Sequence, residues 1–119
     1  MYVRMPFFEY LFRVGCAIVV FGWMPIAFAT SQNLQSTLAF VYPLSDGSFV
    51  LGFTQGSTFC QSPNTPQYFY VTPGQNGVTV DGAKAMLATS LTAYALGKTL
   101  SISFDDSTTY CYINRFSMQ

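Results

Sequence analysis

The chain has 119 residues, of which 50% are apolar, 18% aromatic and only 8% charged, enough for one small domain. So little charge beside so many aromatics excludes a disordered chain, which needs the opposite balance. Five Lys and Arg against five Asp and Glu leave no basic patch for a nucleic-acid backbone, and the absence of histidine removes His triads, His metal ligands and an imidazole switch.

Residues 1–29 read as a secretory signal. Arg4 and Arg13 give a positive start, residues 14–29 (VGCAIVVFGWMPIAFA) run without a charge, and Ala27-Phe28-Ala29 places small residues where a signal peptidase reads. The rival, a membrane anchor, needs about 20 apolar residues. This run has 16, with Gly22 and Pro25 inside it. Cys16 is a small apolar residue of the signal core, since Arg13 three places before it does not suit a lipoprotein site.

Cleavage after Ala29 leaves residues 30–119 as a single domain, secreted or periplasmic and free of the membrane. It carries Lys84, Lys98 and Arg115 against Asp46, Asp81, Asp105 and Asp106, three against four, or minus one. Two cysteines remain, Cys60 and Cys111. An even pair in an exported chain predicts a structural disulfide, worth about 3–5 kcal/mol for a loop of this length. With no C-x-x-C spacing, zinc and thioredoxin-like chemistry are not expected.

In chain order, residues 30–35 read as a polar lead-in, and residues 36–42 as a strand alternating Leu38, Phe40 and Tyr42 toward one face. The turn 43–47 (PLSDG) precedes a second strand over 48–53 with Phe49, Leu51 and Phe53 on one face, so the two form a hairpin. Residues 54–66 are mostly loop, 67–72 (QYFYVT) a third strand, and 73–77 (PGQNG) its stop. A helix of about four turns is predicted over 81–96, with Asp81 as N-cap, Leu87, Leu91, Tyr94 and Ala95 at helical spacing, and Gly97 as C-terminal cap. Residues 99–104 alternate again, 105–108 (DDST) turn, and 110–118 form the last strand.

The order β-β-β-α-β-β predicts a mainly β fold, a five-stranded OB-fold-like barrel with one helix between the third and fourth strands. An open α+β sheet with one helix is the alternative.

No catalytic constellation emerges. Gly97-Lys98-Thr99 looks like the tail of a phosphate loop, but Thr92 stands where its first glycine is required, and the triplet leaves a helix instead of opening one. Asp105 and Asp106 are adjacent, so as strand residues they would point apart and could not converge on one bond. No enzyme activity, cofactor or metal site is expected. The aromatics are the informative excess. With Phe69 and Val71 toward the core, Tyr68 and Tyr70 face outward, and Tyr110 and Tyr112 likewise oppose Cys111 and Ile113. Such tyrosines serve as half-buried wall, as a subunit interface, or as contacts that stack on sugar rings.

Residues 84–116 carry a family resemblance: Met86-Leu87 and Leu91-Thr92-Ala93 on the helix, Gly97-Lys98, an alternating strand, then Cys111 and a closing strand with Ile113, with Cys60 and the signal upstream. In that order they resemble small exported bacterial proteins related to the binding subunits of subtilase cytotoxin and pertussis-like toxins. The resemblance implies an OB-fold, a Cys60–Cys111 bridge, a homo-oligomeric ring of five subunits that binds cell-surface glycans, and an enzymatic A subunit as partner. No glycan-contact motif transfers residue by residue. The alternative function is a secreted structural or inhibitor-like protein that binds another protein through its tyrosine-rich face.

Overall fold

The computed structural model describes residues 30–119. The proposed signal peptide and Cys16 lie outside the described residues. Five antiparallel strands and one helix follow in the order β1 (Ser31–Pro43), β2 (Phe49–Phe53), β3 (Phe69–Val71), α1 (Val80–Leu96), β4 (Thr99–Asp105) and β5 (Ile113–Met118). They form one open sheet in the order β3-β2-β1-β4-β5, a mainly β fold with the predicted β-β-β-α-β-β succession.

The long strand β1 organises the sheet. Its first half pairs with β4, from Ser31 opposite Asp105 to Thr37 opposite Thr99, and its second half pairs with β2, from Leu38 opposite Phe53 to Pro43 opposite Phe49. The first half was expected to be a loose lead-in. It is a strand instead, because the serine-rich strand β4 offers it a full ladder and the Ser31 and Ser103 hydroxyls meet at 2.7 Å. The β1–β2 hairpin closes through Leu44, whose amide donates to the Ser48 carbonyl at 2.8 Å, with Gly47 at φ 88° supplying the left-handed step.

No ladder joins the sheet edges β3 and β5. They are held together just before β5, where the Tyr70 amide donates to the Tyr110 carbonyl at 3.1 Å. Close by in the chain, Cys60 is bonded to Cys111, with Cα atoms 5.7 Å apart. The core behind the sheet is aromatic. Phe53 meets Phe69 edge-on at 5.3 Å and Phe69 meets Phe104 at 5.1 Å, with Leu51, Val71, Leu100, Ile102 and Ile113 fully buried around them.

Helix α1 starts one residue before the expected boundary and is capped differently. Thr79, not Asp81, is the N-cap, its hydroxyl accepting from the Gly82 amide at 3.0 Å, and Asp81 sits in the first turn, where its charge complements the helix dipole. Gly97 ends the helix at φ 64° as expected, with the Lys98 amide donating to the Ala93 carbonyl at 2.9 Å. The buried face also differs. Ala83, Ser90 and Ala93 are buried and Met86 and Leu87 half-buried, whereas Leu91 and Tyr94 are 46% and 50% exposed. Small residues let the helix approach the sheet closely, so the stripe of larger side chains at 91 and 94 is turned to the outside. No helix of the described residues is long and apolar enough to cross a membrane.

Candidate functional site: an aromatic face

The outward surface of β1, β2 and β3 is built by a single irregularity. Between Leu38 and Phe40 the β1–β2 register shifts: Leu38 stands opposite Phe53, but Phe40 stands opposite Gly52. One extra residue, Ala39, therefore bulges, and a bulge re-aims every side chain after it. Leu38 and Val41 pack with the core, while Phe40 and Tyr42 share the outward face. The simple alternation of Leu38, Phe40 and Tyr42 toward one face is thus corrected.

Across that face Tyr42, Val50 and Tyr70 stand in one row of opposed residues. In the next row Phe40 lies over Gly52, where a Cβ would run into the Phe40 ring. The same ring meets Tyr68 edge-on at 5.6 Å. Val50, between Tyr42 and Tyr70 in their row, is buried, as is every residue of β2.

All four tyrosines singled out by sequence belong to one connected array. Tyr68 and Tyr70 lie 6.4 Å apart, Tyr70 meets Tyr110 edge-on at 5.3 Å and Tyr112 at 6.4 Å, and Tyr110 and Tyr112 stack with ring centres 5.3 Å apart and planes 20° from parallel. Tyr110 is exposed and the other three are half-buried. The stacking of two tyrosines separated by one residue follows from Cys111. Residues 110–112 were expected to begin the last strand, but Cys111 adopts φ 46°, β5 starts only at Ile113, and the two rings come together. The disulfide, with Cys111 fully buried, pins this conformation.

Partial burial, followed by repulsion from a Tyr110 phenolate, pushes the Tyr70 and Tyr112 hydroxyls above the ordinary tyrosine value of 10.0. Both stay neutral hydrogen-bonding groups at physiological pH. The face therefore offers flat apolar rings edged by uncharged hydroxyls.

The carboxylate pair performs a different task. Asp106 accepts from the Thr30 amide and the Gln32 side-chain amide, both at 3.1 Å, and Asp105 accepts from the Ser107 amide at 2.8 Å. Each is a turn-and-edge acceptor. Among the described residues no group of three or more His, Cys, Asp or Glu side chains gathers that could hold a metal ion.

Phe40, Tyr42 and Gly52 were missed as parts of the face. The only signal for them was Gly52 inside an otherwise bulky strand, since a glycine there marks a close approach by a neighbour. No protein-family model matches the chain, and a search of curated proteins finds none similar to it. The resemblance to toxin binding subunits thus rests on the residues quoted above alone.

Proposed function

We propose that this protein is an exported, non-catalytic binding module that presents its aromatic face to cell-surface glycans, as a subunit of a ring resembling the binding assemblies of subtilase cytotoxin and pertussis-like toxins. One observation supports the reading above the others: Tyr68, Tyr70, Tyr110 and Tyr112, drawn from two distant parts of the sequence, form a continuous array. Rings with neutral hydroxyls suit the apolar faces and hydroxyl edges of sugars. A ring of identical subunits would multiply weak contacts into useful avidity and carry an enzymatic partner. The disulfide accords with folding in an oxidising compartment, secreted or periplasmic.

The test is a native mass measurement of the oxidised exported protein, together with a glycan array. We expect an assembly larger than a monomer that binds sialylated or related glycans, with binding lost in Tyr70→Ala and Tyr110→Ala. A monomer silent on the array overturns the reading. Recognition of another protein through the same face is the second reading. The extension of the array through Phe40 favours it, since broad aromatic surfaces are enriched at protein interfaces. An array-silent protein that co-purifies with one partner, and releases it on Tyr70→Ala, would establish it.

A further inference from the structure

A second site lies in the connection between β2 and β3, residues 54–68. Its residues, with the end of β2, line an open surface cleft of about 390 Å³, within the range of roughly 300–1,000 Å³ typical of small-molecule sites. Pro66 supplies apolar surface, with the edge of the buried Phe53 beneath, and Thr58, Asn64, Thr65 and Gln67 supply polar groups. No Asp, Glu, Lys or Arg lines it.

The wall is fixed in place before any ligand arrives. The Gln67 amide accepts from the Ser57 backbone N–H at 2.8 Å and donates to the Ser57 and Cys60 carbonyls at 2.9 and 3.1 Å, so it ties the connection to itself and to the disulfide cysteine. Gly56 makes room for this, since a Cβ there would strike the Gln67 side-chain oxygen. The Thr54 hydroxyl meets that of Thr37 on β1 at 2.8 Å, which anchors the near end. The side chains of Thr58, Asn64 and Thr65 are exposed and have no hydrogen-bond partner among the described residues. A held frame, an apolar patch, and free donors and acceptors without charge describe a receptor for a neutral polyhydroxylated ligand. A phosphate or carboxylate ligand would find no cation there.

We infer that this cleft is a saccharide subsite that takes one neutral hexose or N-acetylhexosamine unit, with Thr58, Asn64 and Thr65 bonding its hydroxyls and Pro66 against its apolar face. It rests on the glycan-binding reading for its ligand class, but uses residues separate from the aromatic face. A single open subsite binds weakly, so the observable is a saturable shift at millimolar sugar.

The experiment is a nuclear magnetic resonance titration of the oxidised exported protein, isotopically labelled, with three probes: methyl β-galactoside, N-acetylglucosamine and the charged sugar N-acetylneuraminic acid. We expect saturable amide shifts in residues 54–67 with at least one neutral probe. They should weaken at least fivefold in Thr58→Val/Thr65→Val and in Asn64→Ala, variants whose side chains hold nothing else in the fold. N-acetylneuraminic acid should leave these amides unmoved. Three results overturn the inference: no shift there with either neutral sugar, shifts that survive both variants, or a stronger response to the anionic sugar. Shifts confined to Tyr68, Tyr70, Tyr110 and Tyr112 would overturn the cleft while leaving the aromatic-face reading intact. Shifts in the cleft from a protein whose glycan-array binding resists Tyr70→Ala would do the reverse.

Discussion

Replacing both cysteines tests the frame on which the aromatic face depends. The bridge spans 51 residues, and closing a loop of that size in the unfolded chain corresponds to about 4 kcal/mol in the chain-entropy relation. A folded unit of 90 residues has roughly 5–13 kcal/mol of total stability, so Cys60→Ala/Cys111→Ala removes roughly 30% or more of it. At about 4–8 °C per kcal/mol for a domain of this size, the melting temperature should fall by about 15–30 °C. A second variant separates cross-linking from local geometry. Cys111 holds φ 46°, a left-handed conformation that strains alanine but not glycine. Cys60→Ala/Cys111→Gly should therefore recover about 1 kcal/mol over the double-alanine form. Urea unfolding followed by far-ultraviolet circular dichroism measures both differences, and the near-ultraviolet tyrosine signal should weaken in both variants before global unfolding. A double-alanine protein within 1 kcal/mol of the parent would refute the reasoning, because the loop would then have been closed without the bond.

Gly52→Ala should displace the Phe40 ring and cost about 1–3 kcal/mol by overpacking, seen as a lower urea midpoint and a changed aromatic dichroism signal. Thr79→Ala should cost about 1 kcal/mol through loss of the helix cap, whereas Asp81→Ala, which alters only the interaction with the helix dipole, should cost less; the same urea assay ranks them. An absorbance titration of the phenols should show Tyr70 and Tyr112 ionising above 10.0. Because the folded state holds those protons more tightly than the unfolded state, their contribution to stability should be constant below about pH 10 and lost as the pH rises through the raised values.

The succession of strands and helix, the cysteine pair and the helix stop at Gly97 were legible because each has a local cause: alternation, two cysteines within residues 30–119, and a residue that tolerates φ 64°. What escaped was decided by pairing. The polar stretch 31–35 carries little apolar signal, yet it becomes strand because β4 needs a neighbour. The inward helix face could not be read from size, since Leu91 and Tyr94 compete with the smaller Ala83, Ser90 and Ala93, and close approach selects the small ones. The four tyrosines could be picked out by type and outward parity, but their union depends on the left-handed step at Cys111. The contribution of Phe40 depends on a bulge at Ala39 that only the partner strand reveals.

The Asp106 carboxylate already sits 3.1 Å from the nitrogen of Thr30, at the head of β1. Should a peptidase cut immediately before Thr30, that nitrogen would turn from a neutral amide into an ammonium group without moving. Maturation would then exchange an ordinary dipolar contact for an ionic one, and the trimmed molecule would clasp its leading strand more firmly than its precursor.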